Sequence, residues 1–191
     1  LYEKTRQPDV CKKVLAFRGT EATSIMGDWG QGNTQGLGII APQYDQAIKL
    51  GRAVRNEYQN DLFYLTGHSL GGGLASATAI VINTPAVVFN PAGVHPNTLA
   101  KYGKDFSNAD SLITRYVVRG EILNYQNYNG LGVSTVFPVL YPFEAGNSGN
   151  GIAPDSIGKL VYLKSSTPPS INPLSPFDMH SMNSVLSAYA E

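Results

Sequence analysis

The sequence has 191 residues, 42% of them hydrophobic and 15% charged, enough for one sizeable core and too few for two ordinary domains. Fourteen Lys and Arg balance fourteen Asp and Glu, which argues against a basic nucleic-acid binder and against an acidic solvating tail. The apolar fraction argues equally against disorder.

Cys11 is the lone cysteine, so neither an internal disulfide nor a cysteine-based zinc cluster can form. No apolar run reaches the roughly 18 residues that span a bilayer. The longest, Leu74 to Phe89, is broken by Asn83 and Pro85. The start, Leu1-Tyr2-Glu3-Lys4, is polar, lacks an initiator Met and does not read as a signal peptide. The expectation is a single domain over 1–191, cut from a longer polypeptide.

In chain order, Lys13 to Phe17 predicts a buried strand that ends in a turn at Arg18-Gly19-Thr20. Gly27 to Pro42 is Gly/Asn/Gln-rich and reads as loop. Pro42 to Tyr58 predicts a helix, with Pro42 in its first turn and Ala47, Leu50, Gly51, Val54 and Tyr58 on one face. Leu62 to Thr66 predicts a second strand. Gly67 to Gly73 is a glycine-dense turn, and Leu74 to Ile82 a helix of small and apolar residues. Ala86 to Phe89 predicts a third strand, stopped by Asn90-Pro91, and Pro96 to Tyr102 a short helix. Leu112 to Val118 and Leu160 to Leu163 predict the fourth and fifth strands, and Met179 to Tyr189 a final helix opened by His180. The long Gly/Asn-rich stretch from Gln126 to Gly158 carries an apolar patch at Val136, Phe137, Val139, Leu140, Tyr141 and Phe143. It reads equally well as a lipid-contacting loop or as a loop packed on its own core. Strands alternating with helices predict an α/β fold with a mostly parallel central sheet, whose sites form at the carboxyl ends of the strands.

The chemistry-bearing signal is Gly67-His68-Ser69-Leu70-Gly71, a G-x-S-x-G sequence between a strand and a helix. A nucleophile on so tight a turn needs small residues two positions to either side. The helix after it offers N–H groups and a positive dipole end to a developing oxyanion. Ser69 is therefore the predicted nucleophile. Its hydroxyl needs a base within hydrogen-bond reach. Of the three histidines, His68 is predicted to pack and hydrogen-bond beside the nucleophile, His95 to sit in a loop, and His180 to act as base. In this fold class the order is Ser, acid, His, with the acid just after a strand, which predicts Glu121 in Val118-Arg119-Gly120-Glu121. Asp155, ahead of the fifth strand, is the main rival. Asp105 and Asp110 read as surface residues, and Asp178 is too close to His180 in sequence. The oxyanion hole is predicted from the Leu70 N–H and from Thr20 at the end of the first strand.

Ala16-Phe17-Arg18-Gly19-Thr20, the nearby Asp28-Trp29 and Gly67-His68-Ser69-Leu70-Gly71-Gly72 together resemble the class 3, fungal-type lipases of the α/β-hydrolase fold. The resemblance is specific from Lys13 to Asn90 and looser to His180. It implies that Thr20 and Leu70 hold the oxyanion. It also implies an Asp as the usual acid, where this chain has Glu121. The stretch after Trp29 lacks an amphipathic lid helix. It looks more like the bacterial branch that includes phospholipase A1-type domains of secreted toxins and effectors. The resemblance thus implies a serine esterase acting on lipid or phospholipid, with no cofactor, peripheral membrane contact, action outside the producing cell, and an inhibitor or immunity protein as partner. A soluble short ester, a thioester or a peptide is the alternative substrate. A non-enzymatic module that kept the fold is disfavoured by the presence of both Ser69 and His180. Zero net charge predicts no electrostatic draw to anionic lipid. No His-Glu-x-x-His and no Asp-rich calcium loop occurs, although a calcium ion held by loop carbonyls stays open.

Overall fold

A computed structural model describes residues 12–19, 42–121, 123, 155–164 and 175–190. Within them the chain runs β1 (Lys12–Phe17), α1 (Pro42–Glu57), β2 (Leu62–His68), α2 (Leu70–Ile82), β3 (Ala86–Phe89), α3 (Pro96–Ala100), α4 (Ala109–Leu112), β4 (Ile113–Val118), β5 (Lys159–Leu163), α5 (Ser175–His180) and α6 (Met182–Tyr189). The described strands form one five-stranded sheet in the order β1-β2-β3-β4-β5, and every neighbouring pair is parallel. This is an α/β-hydrolase-like sheet, and it is parallel throughout the described strands.

The register positions the site. Phe17 pairs with Gly67, His68 with Phe89, Phe89 with Tyr116, and Val118 with Leu163. Arg18-Gly19, Ser69, Asn90 and the Arg119-to-Glu121 turn therefore leave the sheet along one edge, its carboxyl edge.

Packing is dictated by the pattern of side chains. In β2, Phe63, Leu65 and Gly67 are buried on one face. They meet α2, which is buried along its length from Gly71 to Val81 because small and apolar residues run all round it. α1 crosses α2 closely at Gly51, where a Cβ would stand 2.3 Å from Thr78 Cγ2. Tyr44 of α1 is buried, and its hydroxyl donates to the Gly93 carbonyl at 2.8 Å. Ile48, Leu65, Val88, Leu99 and Ile113 sit in this main core, each stabilising the fold by about 1.5–3 kcal/mol. A second, smaller cluster joins Val118 and Leu163 to Met179, Val185 and Ala188, with Phe89 and Tyr116 against it. That cluster docks α5 and α6 beside the ends of β4 and β5.

Three differences from the expected boundaries bear on the site. β2 runs on through Gly67 and His68, so the strand reaches Ser69 directly. α2 begins at Leu70 and not at Leu74, so the glycine-dense turn is in fact its first turn. The predicted final helix is two helices. Ser181 is extended (φ −62°, ψ 151°), and its hydroxyl accepts the Ser184 N–H at 3.2 Å as the N-cap of α6. His180 consequently closes α5 and does not open the last helix. The short α4 over Ala109–Leu112 has no counterpart among the predicted elements.

Candidate active site

Ser69 is held between β2 and α2 with φ 57° and ψ −129°, a backbone region that L residues rarely occupy. Its main chain is fastened on both sides. Ser69 N–H donates to the Phe89 carbonyl at 3.1 Å, and the Ser69 carbonyl accepts from Gly73 N at 3.2 Å and Ala92 N at 2.9 Å. The flanking glycines are required by backbone contact. A Cβ on Gly67 would stand 2.2 Å from the Gly71 carbonyl oxygen, and one on Gly71 would stand 2.2 Å from the Phe17 carbonyl oxygen. Although Ser69 sits at the N-cap of α2, its side chain makes no capping bond. Its Oγ lies 2.8 Å from His180 Nε2.

The start of α2 presents N–H groups that no preceding turn can satisfy, and its first turn holds no acidic side chain. Arg18-Gly19 runs alongside. A Cβ on Gly19 would be 2.6 Å from the His68 carbonyl oxygen and 3.4 Å from Ser69 Cβ. The end of β1 and the start of α2 thus pack against each other beside the serine. Leu70 is on α2 as expected, while Thr20, Asp28 and Trp29 lie outside the described residues, as does the apolar patch from Val136 to Phe143.

Glu121 is reached from β4 through a turn closed by Glu121 N–H on the Val118 carbonyl at 3.2 Å, with Gly120 at φ 84°. Its side chain is fully buried. Oε2 accepts two bonds, from the Leu123 N–H at 3.1 Å and from the His180 Nδ1–H at 2.6 Å. His180 is 6% exposed. With its Nδ1 proton directed at a carboxylate, its Nε2 carries a lone pair toward Ser69. The three side chains form one unbroken chain of contacts, drawn from the ends of β2, β4 and α5.

The remaining carboxylates lie elsewhere. Asp155 is exposed on the approach to β5, where its carbonyl accepts the Val94 N–H. Asp105 is exposed, and its carboxylate accepts from Ser107 N. Asp110 is exposed in α4. Asp178 is also exposed, and its carbonyl accepts from Ser181 N and the Ser184 hydroxyl. His95 Nδ1 accepts the Asn97 N–H and caps α3. The His68 ring lies 5.0 Å from the His180 ring, and its Nε2–H donates to the His180 carbonyl at 2.6 Å. Burial first, and the neighbouring His180 second, push its pKa below 6.5.

One residue of the site escapes sequence reasoning. Asn90 reads there only as a strand stop. In the structure it is fully buried at φ 39°. Its Nδ2 donates to the Met179 and His180 carbonyls at 3.2 and 3.3 Å, and its Oδ1 accepts the Val118 N–H at 2.9 Å. An Asn directly after a strand, where L residues other than Asn and Asp seldom turn, is the available signal. Among the described residues no group of three or more His, Cys, Asp or Glu could hold a metal ion, and no helix is long and apolar enough to cross a membrane.

A parallel sheet carrying a serine on a strained strand-to-helix turn, faced by a histidine and a glutamate from later elements, has the layout of the α/β-hydrolase class. The phospholipase-like family model described as the Tle-like phospholipase domain matches residues 1–168, and the chain belongs to that family. Ser69 and Glu121 fall within the matched range and His180 falls beyond it. An extracellular phospholipase A1 of Serratia liquefaciens is 40% identical over 92 residues, which are 48% of this chain and 28% of that protein. The match thus spans little more than a quarter of the relative's length.

Proposed function

We propose that this domain hydrolyses an acyl ester of a phospholipid, in the manner of a phospholipase A1, with Ser69 as nucleophile, His180 as base and Glu121 as the acid that orients it. The observation that carries this reading is the chain of contacts from Ser69 Oγ through both nitrogens of His180 to the buried Glu121. Family membership and the similarity to an extracellular phospholipase A1 support the lipid substrate.

The chemistry is set by the atoms in reach of one another. Ser69 Oγ attacks the ester carbonyl while its proton passes to His180 Nε2. The imidazolium so formed is stabilised by the Glu121 carboxylate 2.6 Å from Nδ1. On this reading the Leu70 N–H, at the start of α2, and Thr20, next after Gly19 in sequence, hold the oxyanion. The Nε2 proton then goes to the departing alkoxide, which leaves as the lysolipid alcohol. Water, deprotonated by His180, releases the fatty acid and restores Ser69. On the same reading the domain acts outside the producing cell and touches the membrane only peripherally. Delivery as a toxin or effector, with an inhibitor or immunity protein masking the site in the producer, would fit such an activity.

Fatty-acid release from mixed phospholipid vesicles, with products identified by mass spectrometry, tests the proposal. The expected result is one fatty acid and one lysolipid per turnover from the wild type and none from Ser69→Ala. Ser69-dependent cleavage of soluble short-chain esters, without release from vesicles, would replace the phospholipid with a soluble substrate. Release that survives Ser69→Ala would remove Ser69 from the mechanism.

A further inference from the structure

His180 is the last residue of α5, a position where main-chain carbonyls have no partner within the helix. Two side chains from the sheet satisfy its carbonyl. The His68 Nε2–H donates at 2.6 Å and the Asn90 Nδ2 at 3.3 Å, and Asn90 also holds the Met179 carbonyl one residue earlier. Asn90 is itself locked to the sheet, donating its main-chain N–H to Tyr116 and accepting that of Val118. His68 is the last residue of β2, immediately before Ser69. Adjacent residues of one backbone therefore contact the two ends of His180: Ser69 meets the imidazole, and His68 meets the main chain that carries it. The two contacts and the His68–Ser69 peptide close a small ring, so α5 cannot slide along the sheet edge without opening both.

We infer that His68, with Asn90 behind it, is a positioning residue whose ring N–H fixes the His180 imidazole at hydrogen-bonding distance from Ser69. This rests on the reading of Ser69 and His180 as nucleophile and base. The clamp needs a proton on His68 Nε2, which the neutral Nε2–H tautomer supplies. The partly buried ring, set 5.0 Å from the His180 ring, suits that state. A second cation there would oppose the imidazolium that forms as Ser69 gives up its proton. The charged or titratable groups that bear on the ring are His180 and Glu121.

Two substitutions separate the donor from the ring. His68→Phe keeps an aromatic of similar size and loses the N–H. His68→Gln loses the ring and supplies an N–H at nearly the same reach. The readouts are kcat and KM on a soluble p-nitrophenyl ester and the rate of labelling by a fluorophosphonate, with thermal unfolding as the check on folding. The expected result for His68→Phe is a fall of about 10- to 100-fold in kcat and in labelling rate, with KM within about twofold, the scale of a misplaced reacting group. His68→Gln should recover to within about fivefold of wild type. Full activity in His68→Phe, or equal losses in both variants, would overturn the clamp. Should His68→Phe not fold, nitrogen NMR of the wild-type histidines decides. A His68 proton on Nε2, protected from exchange, supports the clamp, and one on Nδ1 overturns it. A wild type that fluorophosphonate does not label would refute the reading of Ser69 itself and take the positioning role with it. Labelling absent only in Ser69→Ala keeps that reading in place, so that any failure is then the clamp's alone.

Discussion

Glu121→Gln isolates the charge of the buried carboxylate. The Leu123 N–H and the His180 Nδ1–H both reach Oε2 of Glu121. A glutamine that places its amide oxygen there keeps the Leu123 N–H and the His180 Nδ1–H, so the ring stays in the same tautomer and the pocket keeps its volume. On the proposed mechanism, the negative charge facing the imidazolium in the transition state disappears. Two unit charges about 4 Å apart at an effective dielectric of about 20 attract by about 4 kcal/mol, which corresponds to about 10³-fold in kcat. If the amide flips and turns its NH₂ toward His180, the wrong tautomer is favoured and the loss approaches about 10⁴-fold. The assay is kcat on a soluble ester, with the unfolding temperature measured alongside. Glu121→Asp provides the companion. Shortening the side chain by one methylene, about 1.5 Å, stretches a 2.6 Å contact past hydrogen-bonding range unless the turn moves. The aspartate should therefore lose about as much as the glutamine, although aspartate is the commoner acid in related lipases. A loss below about tenfold in Glu121→Gln would refute the argument and return the role to another carboxylate.

Gly71→Ala should lower the unfolding temperature and the labelling of Ser69 together, because its Cβ would stand 2.2 Å from the Phe17 carbonyl oxygen and the end of β1 must give way. Overpacking of this kind costs about 1–3 kcal/mol, and wild-type stability in a melt would contradict the contact. Ser181→Ala removes the N-cap of α6, for about 1 kcal/mol or a melting temperature lower by about 2–4 °C in a chain of this size. An unchanged melting temperature would show that the cap contributes nothing. His68 sets a pH dependence of stability. Its folded pKa lies below 6.5, so on acidification the unfolded chain takes up the proton first. The contribution is complete above pH 6.5 and is lost as pH falls from there through the folded value. Denaturant melts of wild type and His68→Gln should therefore diverge below that pH, with the wild type losing more, and parallel curves would contradict the shift.

Much of this architecture was legible in the residues. The apolar runs at Lys13, Leu62, Ala86, Leu112 and Leu160 mark strands because short β-rich runs between turns have few other uses in an α/β chain. The start of α2 was not legible. Gly71, Gly72 and Gly73 look like helix breakers by propensity, yet each sits where a side chain would strike a neighbour: the Phe17 carbonyl, Pro91 or the Tyr44 hydroxyl. Tertiary contact overrode local preference there. The break at Ser181 was hidden for a different reason. A hydrophobic face runs from Met179 through Val185 to Ala188, and periodicity does not register one extended residue within it. Ser69, His180 and Glu121 stood out by residue type and chain order. Asn90 and the carbonyl it holds did not, because that bond joins residues about ninety positions apart and depends on the β3–β4 register.

The backbone of Ser69 has an evolutionary consequence. At φ 57° and ψ −129° it occupies a region that glycine enters freely and serine does not, at a cost of about 1–3 kcal/mol. Every copy of the domain that keeps its serine lives with that deficit. On the proposed function, a lineage released from selection for hydrolysis would gain stability by replacing it, and glycine at 69 would be the favoured relic. Silent descendants of this fold should thus be sturdier than their active parent, and a serine persisting at this corner is itself a sign of selection for chemistry.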